Sequence, residues 1–253
     1  MLIGGQGNDT LYGDAYTMSG NARGGNDWLA GGQGNDTLYG DANTMSDSAR
    51  GGNDWLTGGN GNDTLYGDAG TLTDFFSLVG DDRLYGGSGN DVLVGDVGDA
   101  SFFGLTEGGD DELDGGSGED IFYGDGRDII VNQAGDDRLN GGSGDDVLYG
   151  DQLWSSASHP DHSGDDQLYG GSGDDTLYGD ADSPILDSGY GGNDQLYGGS
   201  GNDILIGDEG FARLGVGGND RLDGGSGDDT LYGDFESAVE PQCGADVLIG
   251  GIG

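Results

Sequence analysis

Large apolar residues in this chain fall at regular positions, two residues after an aspartate. Leu11, Leu38, Leu65, Leu93, Phe122, Leu148, Leu177, Leu205 and Leu231 form one series, and Leu29, Leu56, Leu84, Leu113, Leu139, Leu168, Leu196, Leu222 and Leu248 form another. Their neighbours are often strand formers, as in Thr37-Leu38-Tyr39 and Trp55-Leu56-Thr57. Side chains alternate across a strand, so each Leu points away from the residues beside it. The pattern predicts short strands with one inward residue each. Two such series facing one another make a thin core, and each fully buried Leu stabilises by about 1.5–3 kcal/mol. Ordering the backbone costs about 1–2 kcal/mol per residue, so a further source of stability is needed.

The strands sit inside a repeated phrase. Its clearest copy is Gly31-Gly32-Gln33-Gly34-Asn35-Asp36-Thr37-Leu38-Tyr39, and it recurs at Gly58 to Tyr66, Gly141 to Tyr149, Gly170 to Tyr178 and Gly224 to Tyr232. Two kinds of copy alternate. The full copies (A) carry Asp9, Asp36, Asp63, Asp91, Asp120, Asp146, Asp175, Asp203 and Asp229, and shorter copies (B) carry Asp27, Asp54, Asp82, Asp111, Asp137, Asp166, Asp194, Asp220 and Asp246. Each B Asp precedes the next A Asp by nine residues, whereas A to B takes 17 to 20. The step from B to A is therefore constant, and the step from A to B carries an insertion of 8–11 residues. A third acidic series follows the A strands: Asp14, Asp41, Asp68, Asp96, Asp125, Asp151, Asp180, Asp208 and Asp234. It either supplies a ligand or caps a turn through its own backbone; the sequence leaves both open. The insertions have apolar middles, such as Phe75-Phe76, Phe102-Phe103, Ile129-Ile130-Val131, Leu153-Trp154 and Ile185-Leu186. They are expected to stack as a side ridge. Their variable length argues against a third strand per turn.

Composition sharpens the picture. There are 49 acidic residues against seven Arg and no Lys, and the formal charge is −42. Such a chain repels nucleic acid and anionic membrane, and no segment has the length of a membrane span. Its partner is a cation. Stacked turns place like Asp residues one strand spacing apart, about 4.8 Å. Two carboxylates at that distance repel by about 0.9 kcal/mol even at the dielectric constant of water, so the columns require a counter-ion. Carboxylates and glycine-turn carbonyls are hard oxygen ligands, which suit calcium better than magnesium with its stricter octahedron.

In pattern form the phrase reads G-G-x-G-x-D-x-L-x, and on these residues the chain resembles the RTX (repeats-in-toxin, haemolysin-type calcium-binding repeat) family. The resemblance implies an all-β fold: a right-handed parallel β-roll or β-solenoid of about nine turns with two short strands each, running through residues 1–253 as one domain. It implies multiple Ca2+ ions between successive turns, held by the motif Asp and glycine carbonyls. That carries over cleanly to the A residues. It extends less directly to the B residues, where the double glycine is out of register and Ala245 stands in the usual Asn or Asp position. The implied setting is secreted or cell-surface, with folding on calcium binding outside the cell.

Nothing in the pattern points to an enzyme: His159 and His162 share one insertion with Pro160 and Asp161, and Ser88, Ser143 and Ser172 occupy the variable turn position. A binding surface for ice or glycan could use the columns that include Tyr12, Tyr39 and Tyr66 and Thr10, Thr37 and Thr64. End-to-end self-association is the third alternative, because Met1-Leu2-Ile3 aligns with Val247-Leu248-Ile249 and exposed strand edges invite pairing. The same ends also fit a segment cut from a longer array.

Overall fold

The computed structural model describes residues 1–73, 78–100, 106–127, 131–151, 161–181, 189–209, 216–235 and 243–252. The strands pair in parallel with the equivalent strands of neighbouring repeats, giving one ten-stranded and one nine-stranded sheet. The architecture is an all-β parallel solenoid. The nine-stranded sheet holds the A strands, from Thr10–Tyr12 to Thr230–Phe235, and the ten-stranded sheet runs from Leu2–Gln6 to Val247–Ile249. Register follows the motif: Leu38 pairs with Leu65, and Leu29 with Leu56.

The B strands are longer than the leucine pattern alone suggests. Trp28–Gln33 and Trp55–Asn60 run through the double glycine of the next A copy. The chain then turns at Gly34, which has φ of 118°, as does Gly32. A β-carbon on either residue would strike the carbonyl of Gly5 or Gly7 in the turn beneath. Only glycine fits there, since it tolerates positive φ and lets two backbones approach closely.

The two leucine series meet between the sheets as one continuous apolar column. Leu29, Leu38, Leu56, Leu65, Leu84 and Leu93 are fully buried within it, and Phe122 fills the place of a Leu.

The insertions depart from expectation in the first four turns. Ala15–Met18, Ala42–Met45, Ala69–Leu72 and Val97–Ala100 form a third parallel sheet. This corrects the reading of the insertions as irregular ridges only. Length variation lies further along the insertion, while the block after each Gly-Asp keeps its register: Ala15 pairs with Ala42, and Met18 with Met45. Met18, Ala42, Met45, Ala69, Leu72 and Val97 bury a second small core. A fourth sheet joins Thr106–Glu107, Val131–Gln133, Asp161–His162 and Gly189–Tyr190, just before the B turns. The apolar pairs at 75–76, 102–103, 129–130, 153–154 and 185–186, together with His159 and Pro160, lie outside the described residues.

Candidate metal centre

The solenoid has two edges lined with aspartate. Along the first, where a B strand turns into an A strand, the A residues stack. Each backbone N–H donates to Oδ1 of the equivalent Asp in the next turn: Asp36 to Asp63 at 2.7 Å, Asp63 to Asp91 at 2.7 Å, and Asp146 to Asp175 at 2.9 Å. The other oxygen, Oδ2, has no hydrogen-bond partner in any A residue from Asp9 to Asp229. It faces the first glycine of its own motif. A β-carbon on Gly58 would strike Asp63 Oδ2 and lie 2.7 Å from the carbonyl oxygen of Gly86, one turn on. Carboxylate and carbonyl oxygens thus converge on a space that glycine leaves open.

The second edge, where the A strand gives way to the insertion, carries two acidic columns. The B residues repeat the same ladder, with Asp54 N–H donating to Asp82 Oδ1 at 2.6 Å and Asp166 N–H to Asp194 Oδ1 at 2.8 Å. The third series lies against them. Asp41 Oδ2 accepts from Gly52 N–H at 2.9 Å, and Asp151 Oδ2 accepts from Gly164 N–H at 2.8 Å. Their Oδ1 atoms, like Oδ2 of the neighbouring B residues Asp54 and Asp166, are buried without a hydrogen-bond partner.

Three-carboxylate groups with oxygens within 4.8 Å of one another arise here: Asp68, Asp82 and Asp96; Asp125, Asp137 and Asp151; Asp151, Asp166 and Asp180; Asp180, Asp194 and Asp208; and Asp208, Asp220 and Asp234. The structure therefore brings B residues together with the third series. Among the described residues, the A column forms no such group and offers one carboxylate per turn alongside carbonyls.

Burial without a cation is costly for these groups. Desolvation pushes Asp54 up to about 8 and Asp91 and Asp175 up to about 7, against the stabilising backbone N–H bonds each accepts. Asp82, Asp137, Asp166 and Asp194 are driven well above the carboxylate range, by burial first and by neighbouring Asp charges second. A hard divalent cation compensates both, and the open oxygens are ligands of the kind it requires. The residues present fit calcium.

The sequence model of the RTX calcium-binding nonapeptide repeat matches residues 1–15, 21–44, 48–71, 77–101, 106–130, 123–152, 162–186, 188–211 and 214–235. The chain belongs to the RTX calcium-binding repeat family. No curated protein and no solved structure matches it. Among the described residues of this RTX chain, no helix is long and apolar enough to cross a membrane.

One feature of the RTX turns escaped the sequence reading. Residues just before motif Asp form a ladder of their own, running toward the preceding turn: Asn35 N–H donates to Asn8 Oδ1 at 2.9 Å and Asp174 N–H to Asp145 Oδ1 at 2.8 Å. The signal was present, since that position is Asn, Asp or Glu in every A copy.

Proposed function

We propose that this chain is a calcium-binding structural repeat of a secreted or cell-surface protein, and that it acquires its fold by binding calcium. The observation that carries the reading is the set of stacked, buried Asp carboxylates, all but Asp125 with one hydrogen-bonded and one open oxygen. The motif residues Asp9 to Asp229 on the first edge and Asp27 to Asp246 on the second are the proposed ligands, with glycine carbonyls completing each site. Each column of nine Asp has eight adjacent pairs. At about 0.9 kcal/mol per pair even in water, three fully ionised, metal-free columns would oppose folding by roughly 20 kcal/mol, more than the ~5–15 kcal/mol of net stability usual for a domain. Binding free energy then becomes folding free energy. Limited proteolysis tests this. Calcium should protect the repeats against a protease that digests the chelated chain, and equal resistance in both conditions would sink the proposal.

A second reading, glycan binding, draws support from a different surface than the sequence suggested. Tyr39 and Tyr66 stack at 5.1 Å in the nine-stranded sheet and are only half-exposed. The third sheet lies over them: a β-carbon on Gly70 would be 2.7 Å from Tyr39 Cε1. On the ten-stranded sheet, by contrast, Trp28 and Trp55 pair in register and are 48% and 47% exposed. Trp55 stacks on Tyr85 at 5.5 Å, Tyr169 stacks on Tyr197 at 5.0 Å, and the Arg138 guanidinium lies 4.9 Å from the Tyr169 ring centre. Flat aromatic tracks of this kind suit sugar ring faces. A glycan array probed with the calcium-loaded chain and with its Trp28→Ala/Trp55→Ala variant tests it. The absence of hits lost on substitution would remove this reading.

A further inference from the structure

The family's nonapeptide accounts for one Asp per motif copy. It leaves the third series, Asp14 to Asp234, without a role. Those residues follow the A strand, yet they end up against the B turn 10 to 13 residues later in the chain, as shown by Gly135 N–H to Asp125 and Gly164 N–H to Asp151. The B turn lacks the leading double glycine in register. It still sets glycine carbonyls beside its Asp, and the third series adds a second carboxylate there.

Capping explains only half of this side chain. Asp151 is fully buried; its Oδ2 accepts from Gly164 N–H, and its Oδ1 has no hydrogen-bond partner. The same division holds at Asp68, Asp180 and Asp208. Asp68, Asp151, Asp180 and Asp208 each belong to a three-carboxylate group that contains a B residue. Glycine keeps the space clear: a β-carbon on Gly179 would strike Asp194 Oδ2 and lie 2.6 Å from the carbonyl oxygen of Gly207.

Charge sets the stoichiometry. The second edge buries two carboxylates per turn, one from each series, and the first edge buries one. One divalent cation per turn neutralises the second edge completely. On the first edge, the same loading leaves a net positive charge in each turn. Ligand charge and site rigidity set calcium affinity.

We infer that the third Asp series, with the B residues, forms a separate run of calcium sites on the insertion edge, one ion per turn, which fills at lower free calcium than the nonapeptide edge. This rests on the calcium reading above and adds to it a ligand series and an order of filling.

The test counts calcium bound to the full chain by equilibrium dialysis over rising free calcium, for the parent and for Asp151→Asn, Asp234→Asn and Asp146→Asn. Asparagine keeps an oxygen to accept from the glycine N–H, so capping survives while the ligand charge is lost. Asp151 belongs to two of the three-carboxylate groups and Asp234 to one. The parent should bind in two phases. Asp151→Asn should lose about two ions from the first phase, Asp234→Asn about one, and Asp146→Asn should lose ions from the second phase only. If Asp151→Asn does not fold at saturating calcium, Asp234→Asn at the end of the run decides. A first phase unchanged in both variants overturns the assignment of the third series. A single phase in the parent overturns the order of filling. A parent that binds no calcium overturns the underlying reading as well.

Discussion

Gly25 and Gly52 occupy the same place in successive B turns, two residues before Asp27 and Asp54. A reading by motif alone assigns them equal importance, but the stack does not. A β-carbon on Gly25 would have Asp27 Oδ2 at 3.8 Å and Asp14 Oδ1 at 3.9 Å as its nearest neighbours, which is ordinary contact. A β-carbon on Gly52 would strike the carbonyl oxygen of Gly25 in the turn beneath and lie 3.3 Å from Asn26 N. Neither residue has a positive φ, so backbone strain does not enter. The obstacle at Gly52 is main chain, which cannot swing aside as a flexible side chain would. Overpacking against rigid neighbours costs about 1–3 kcal/mol. The shift also loosens the Gly52 N–H bond to Asp41 Oδ2 at 2.9 Å, worth about 1 kcal/mol. Gly52→Ala should therefore cost about 2–4 kcal/mol, or roughly 10 °C in Tm for a chain of this size. Gly25→Ala should stay within about 0.5 kcal/mol of the parent. Thermal melts at one saturating calcium concentration, followed by circular dichroism, measure both. Equal shifts in the two variants would refute the argument that close stacking, rather than the motif, dictates glycine here.

Other outcomes follow from the same geometry. Leu139 is fully buried and Leu248 is 48% exposed; Leu139→Ala should cost about 2–5 kcal/mol and Leu248→Ala under about 1 kcal/mol, read from urea unfolding at saturating calcium. The metal-free fold should be favoured by acid. Burial lifts Asp54 to about 8 and Asp91 and Asp175 to about 7, from an ordinary value of 3.8. The folded chain then holds protons that the unfolded chain has lost. This stabilising contribution is complete below about pH 4 and disappears as pH rises through about 7 to 8. In chelator, the β signal in circular dichroism should grow as pH falls from about 8 to about 4.5, and a falling signal would contradict the assignment.

Much of this fold was legible because its register is strict. The nine-residue step from Asp27 to Asp36 and from Asp54 to Asp63 fixed the first edge, and the alternation around Leu38 and Leu56 fixed the core. The third sheet was not legible, because the variable total length of the insertions masks the constant block that follows the first four Gly-Asp pairs, where Ala42 and Met45 pair with Ala69 and Leu72. The pairing of Asp151 with Asp166 was hidden for a related reason. The segment between the third series and the B turn varies in length, and only the closed turn brings the two carboxylates to one point. Sequence reading ranked the A column as the clearest calcium site. The structure places its three-carboxylate groups on the other edge, where the B residues and the third series each supply a carboxylate, against one per turn on the first.

On the proposed function, calcium, more than the leucine column, holds the turns together. Circular dichroism of the full chain during calcium titration from excess chelator tests it most directly. The account predicts a disordered spectrum without calcium and a parallel-β spectrum that develops as calcium is added. A β spectrum already complete in excess chelator at neutral pH would contradict it.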